Sequence, residues 1–132
     1  MATVLTSAGK AILTGRMIGA GSPSQAEPKF IGLGSGAGTS AVGDTTLFTE
    51  YTSGTWSGYA RAGNAGIQVT TSVTNDTVQW QSTFTAPESE TVTNAANFDA
   101  VSSGNICVKG DFTGLALNTN DTIQITVKIQ YT

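Results

Sequence analysis

From Ile123 to Tyr131 apolar and polar residues alternate without a break. Ile123, Ile125, Val127, Ile129 and Tyr131 stand against Gln124, Thr126, Lys128 and Gln130. Successive side chains of a strand point to opposite faces, so this run predicts a strand with one face on a core and the other outward. Val78, Trp80, Ser82 and Phe84 alternate in the same way with Gln79, Gln81 and Thr83, and Pro87 ends that run. Ile67, Val69, Thr71 and Val73 alternate with Gln68, Thr70 and Ser72, and Asn75-Asp76 between these two runs is a turn signal. The two runs therefore predict an antiparallel pair with a tight connection.

Further strands are expected at Phe30–Leu33, at Thr91–Ala100 around Val92 and Phe98, and at Ile106–Phe112 after a hairpin turn over Val101–Asn105. Gly114–Asp121 returns the chain, and Asp44–Tyr51 reads as a single turn or a short extended piece. Glycines 54, 58, 63 and 66 break the stretch that holds Trp56, Tyr59 and Arg61. The first residues follow a different period. Leu5, Ala8, Ala11 and Ile12 fall three or four apart and Met17 follows, which predicts a short helix from Thr6 to Ile18, capped by Thr6 or Ser7. Gly9 and Gly15 each weaken it by about 1 kcal/mol. A loop follows over Gly19–Pro28. The expected fold is all-β, a β-sandwich or jelly roll of about seven or eight strands, with a short N-terminal helix. It forms one domain over 1–132, with 1–20 as an N-terminal helical arm.

A chain of 132 residues with 39% hydrophobic content can bury a core without disulfides or metals. Only 11% of residues are charged, against about 25% in typical domains. Thr, Ser, Asn, Gln and Gly take their place, a neutral polar surface suited to packing against neighbours in an assembly. Net charge is −3 and no basic cluster exists, which argues against nucleic-acid binding. No apolar stretch approaches the length of a membrane span. The opening MATVLTSAGK lacks the pattern of a signal peptide. One cysteine, Cys107, permits no internal disulfide, so a reducing cytoplasm is the expected site of folding. The triplets at Asn75 and Asn120 read as turns rather than glycan sites.

Residues 31–50, IGLGSGAGTSAVGDTTLFTE, place glycine at 32, 34, 36 and 38. A dinucleotide fingerprint can be laid on Gly32, Gly34 and Ala37, but it needs a helix to open there, and more glycine follows instead. Glu50 lies too near for the ribose-binding acid, and a phosphate loop ending in Gly-Lys-Ser/Thr is absent. The glycines are therefore expected to let the chain bend. No histidine is present, so Ser-His and Cys-His pairs cannot form. Cys107, between Ile106 and Val108, reads as a core residue. Glu88 with Glu90, and Asp99 with Asp111 across the hairpin, are the carboxylate pairs a glycosidase would need. Asp and backbone oxygens could in principle hold calcium. Acids beside turn residues are more often turn formers. No cofactor and no metal is expected. For Trp56 and Tyr59 beside Arg61 two readings stay open: an interface centre, or a cover over one end of the core.

A helix-like opening, then FIGLGSG, then TSAVGDTTLFTE, then Arg61 some ten residues on, resembles small structural proteins of tailed bacteriophages. The runs NAANFDAVSSGNICVKGDF and NTNDTIQITVKIQY are similar to their Phe-Asp-Ala hairpin and closing strand. Related stretches occur in capsid decoration (cement) proteins and in collar or tail-fibre proteins. Tail-fibre relatives often show Glu-Ile-Gly-Leu-Phe-Asp where this chain has Thr93–Asp99, and no shaft repeat is present. The resemblance implies a non-enzymatic virion protein that is assembled in the host cytoplasm and binds the outer head shell. Its partners would be the major capsid protein and itself, as a homotrimer, with no nucleic acid or membrane. The expected contact residues are Met1, Val4, Leu5 and Arg16 of the N-terminal segment, Gly34 and Gly36 of the glycine loop, and Trp56, Tyr59 and Arg61. The alternative is a tail-fibre or collar component that binds host glycans with Trp56 or Tyr59 as a stacking platform.

Overall fold

A computed structural model describes residues 1–18 and 26–132. The elements are β1 (Ala2–Leu5), α1 (Ser7–Met17), β2 (Phe30–Gly34), β3 (Ala62–Gly63), β4 (Ile67–Val69), β5 (Thr77–Thr85), β6 (Glu90–Phe98), β7 (Ile106–Leu117) and β8 (Thr122–Gln130). They form two antiparallel sheets packed as a β-sandwich. The larger has the order β1-β7-β6-β2-β3 and the smaller β4-β5-β8.

The alternating runs do what their pattern requires. On β8, Ile123 and Val127 are buried, Ile125 and Ile129 half-buried, and every intervening residue is exposed. β5 and β8 pair in unbroken register, with Trp80 opposite Val127 and Phe84 opposite Ile123. These side chains meet Ile31, Leu33, Val92, Ala95 and Val108 of the larger sheet in the main core. Burying each large apolar side chain contributes roughly 1.5–3 kcal/mol.

The Ile67–Val73 run pairs only from Ile67 to Val69. β4 is an edge with little to bury against, and Ile67 and Val73 are both exposed. The following residues instead wrap the Asp76 carboxylate, which accepts hydrogen bonds from the backbone N–H of Thr71, Ser72 and Val73. Asn75 and Asn120 both take left-handed turn conformations, with φ 60° and 70°. At the β6–β7 hairpin the Asp99 carboxylate accepts from Asn105 N and Nδ2. β7 then runs on to Leu117, beyond the end expected at Phe112.

The helix begins where expected. Thr6 caps it, its Oγ accepting from Gly9 N at 2.9 Å. A side chain at position 9 would strike the Cys107 carbonyl, so glycine there lets α1 lie directly on β7. The residues ahead of the helix are not part of a helical arm. They form β1, which pairs with β7, Val4 opposite Lys109. The loop expected over Gly19–Pro28 lies outside the described residues from 19 to 25.

The glycine run is not a bend at its start. Gly32 and Gly34 lie inside β2, in register with Ala96 and Asn94. The chain turns only after Gly34, and the segment from Ser35 to Glu50, which has no helix, folds back over the outer face of the larger sheet. That segment is held by backbone bonds from Ser35 N to Thr49 O and from Gly36 N to Phe48 O. Leu47 packs with Ala96, Phe98 and Ile106 in a second, smaller core on that face.

Candidate docking surface

Two cations and their partners brace the outer face. Arg61 meets Glu50 through two bonds, Nε to Oε1 and Nη2 to Oε2, each 2.7 Å. Its Nη1 donates to the carbonyls of Ala100 and Ser103. The guanidinium lies 3.4 Å over the ring of Phe98. Lys109, fully buried, donates to Asp44 Oδ2 at 2.7 Å and to the Thr46 carbonyl at 2.8 Å. The Asn94 amide closes the loop: its Oδ1 accepts from Phe48 N and its Nδ2 donates to Phe48 O, both at 3.0 Å. Both cations are thus hydrogen-bonded by groups of the protein itself.

The aromatic stretch is interior. Trp56 is 3% exposed and meets Tyr51 edge-on, with ring centres 5.0 Å apart. Tyr59 stacks on Phe84, and its hydroxyl accepts from Leu33 N while donating to Glu50. Burial pushes the Tyr59 phenol above its ordinary pKa, the nearby Glu50 charge adding to the rise. Burial pushes Tyr51 up to about 12, with the Glu90 charge adding to it. Trp56 offers no open ring face, contrary to its role as an exposed platform, while Tyr59 is half-buried with its ring stacked on Phe84.

The remaining chemical candidates are dispersed. Cys107 is buried, and loss of solvation, with the Asp99 charge behind it, pushes its thiol up to about 12. Asp99 and Asp111 do not come together: Asp99 closes the β6–β7 turn, while Asp111 stands opposite Asn94 in the middle of the sheet. There Asp111 accepts from Ser40 N and Ala2 N, and these bonds hold its carboxyl below the usual carboxylate range. Among the described residues no group of three or more His, Cys, Asp or Glu side chains is placed to hold a metal ion.

One side of the sandwich is open to solvent along its strand edges. A cleft of about 320 Å³ lies between the edge of the larger sheet, at Met1 and Thr3, and the edge of the smaller, at Gln124–Lys128. Val108 and Phe112 form its floor. Phe112 and Ile125 pack on the core but stay half open to solvent. Met1 is 96% exposed beside it, and Val4 and Leu5 continue β1 half-buried. Arg16 lies elsewhere, exposed in the last turn of α1, by a second groove with Leu13, Met17, Val78, Trp80 and Tyr131. Gly34 is buried and Gly36 half-buried under Phe48 and Thr49. Of the expected contact residues, Met1 is therefore the one the structure sets at the cleft. Thr3, Phe112, Ile125 and Lys128 were not anticipated. The one signal for them was the length of the final alternating run, which marks a strand but not whether both of its edges are paired.

No family model, no curated protein and no solved structure gives a significant match to this chain.

Proposed function

We propose that the chain is a non-enzymatic bacteriophage virion protein, a decoration (cement) subunit that binds the outer head shell and stabilises junctions between coat subunits. The observation that carries this reading is the division of labour in the side chains. Arg61 and Lys109 are tied up in bracing the outer face and Trp56 is packed in the core, while the open β1–β8 side offers apolar surface and, among the described residues, an unpaired strand edge for docking. The low-charge, Thr-rich surface and the resemblance of residues 30–36, 39–50, 94–112 and 118–131 to phage structural proteins support it. Docking would draw on apolar area at about 25 cal/mol per Å², less the cost of fixing the partners, and symmetric repetition would multiply modest contacts. Self-association as a trimer belongs to the same proposal. The tail-fibre or collar alternative loses Trp56 as a stacking platform, because that ring is buried, and keeps the half-buried Tyr59. Co-sedimentation of the purified chain with head particles, and separately with tails, tests the reading. Saturable binding to heads is expected, and binding to tails alone rejects it.

A further inference from the structure

The larger sheet overhangs the smaller. β5 lies against β3, and β8 against β6 and β7, while among the described residues β1 makes no extensive contact with a strand of the smaller sheet. Among the described residues the layer beneath β7 and β1 therefore has no strand on this side, and the cleft occupies the place where one would run. Its floor is Val108, Gly110 and Phe112; its wall is the outer edge of β8 from Gln124 to Lys128. That edge carries a row of backbone N–H and C=O groups with no strand beside it among the described residues. Natural edges are usually blunted by proline, bulges or several charges. β8 has no proline, no glycine and no break in register, and its one charge is Lys128.

From this vacancy we infer that the slot receives a single extended segment of a partner chain, added as a fourth strand of the smaller sheet beside β8. The inference rests on the docking role proposed above and names what the coat subunit would supply. A second copy's β8 is the other strand that could pair there. Antiparallel β8–β8 pairing would turn the second molecule about an axis perpendicular to the sheet, so both larger sheets would fall on the same side. The overhanging β7 and β1 already fill that space, and the two bodies would collide. A lone segment meets no such obstacle.

The surroundings fix its chemistry. Alternate residues turn inward against Phe112 and Val108 and must be apolar. The others face outward beside Gln124, Thr126 and Lys128. Lys128 has no ion-pair partner among the described residues. An Asp or Glu across from it on the added strand makes a favourable cross-strand pair. Asp111, the other charged group at the cleft, is already occupied by Ser40 N and Ala2 N.

The probe is a seven-residue peptide of alternating valine and threonine with a glutamate at its central outward position. It is titrated into the whole chain while amide hydrogen exchange is followed, and the chain bound to head particles is measured in the same way. Exchange within Gln124–Lys128 is expected to slow in both arms. Thr3→Trp fills the slot from an exposed position on β1 and is expected to weaken binding by about tenfold or more, with a smaller loss for Lys128→Glu. If β8 amides exchange as in the free chain in both arms, the inference is overturned. Particle binding that Thr3→Trp leaves unchanged overturns the slot and keeps the virion role. Peptide bound in the slot by a chain that ignores head particles upholds the slot and removes the virion role.

Discussion

The Lys109 ammonium lies 3.3 Å above the centre of the Phe48 ring. β7 thus sends a charged side chain into the outer face of its own sheet, and the loop after β2 folds down to receive it with a carboxylate, a carbonyl and an aromatic face. Arg61 repeats the arrangement on Phe98, with Glu50 as its carboxylate. A buried charge is tolerated only when paired and hydrogen-bonded, so these two cations dictate where the Ser35–Glu50 segment must lie.

Asp44→Asn removes the negative charge and leaves a buried ammonium with only neutral acceptors and the Phe48 ring. Because Asp44 is 22% exposed, a loss of about 1–3 kcal/mol is expected, below the full figure for breaking a buried pair. Lys109→Met in the Asp44→Asn background removes the stranded charge at similar volume and should recover much of that loss. Urea titration of the single and double variants reads both effects.

Arg61→Lys keeps the charge but not the planar fork that spans Glu50 and stacks on Phe98. A loss of about 2 kcal/mol is expected in thermal unfolding, although the net charge is unchanged. An effect within experimental error would mean that the pair is only electrostatic.

A methyl group at position 34 would sit 2.5 Å from the Phe48 carbonyl and 2.7 Å from Asn94 Nδ2. Gly34→Ala should therefore cost about 2–3 kcal/mol by forcing the covering loop off the sheet. Gly43→Ala, with nothing within 4 Å, should stay within about 0.5 kcal/mol of wild type. Equal effects at the two positions would refute close approach as the reason for glycine at 34.

Asp44, Asp76 and Asp111 are all held below the ordinary carboxylate range, Asp44 chiefly by the Lys109 bond and the other two chiefly by backbone N–H donors. The unfolded chain takes up these protons first, near an ordinary value of about 3.9. Their contribution is therefore present above that value and is lost as pH falls through it toward the lower native values. The melting temperature should drop between about pH 5 and pH 3, and Asp44→Asn should shallow that drop. A flat profile across this window would contradict the hydrogen-bond pattern.

The strands with one buried face were legible in the sequence because burial enforces alternation, and β5 and β8 stand where that pattern put them. Alternation over Ile67–Val73 overstated β4, since the pattern does not report that an edge has no partner layer. β1 was invisible: four residues carry no period, and what makes Ala2–Leu5 a strand is β7, a hundred residues away. The glycine run was misread for a related reason. Glycine in a strand interior has no propensity to signal it, and its need at 34 comes from Phe48 and Asn94. Nothing in ICVKGDF marks Lys109 as buried; the returning loop with Asp44 and Thr46 covers it. The cleft is a property of two edges far apart in the chain, and no local pattern encodes it.

Cryo-electron microscopy of the purified virion decides whether this chain docks on the head through its β1–β8 side. The account predicts sandwich-shaped density on the outer head shell, seated with the β1–β8 side toward the coat and a coat segment running along Gln124–Lys128. Density for this chain confined to the tail, or a head-bound sandwich with that side facing solvent, would contradict it.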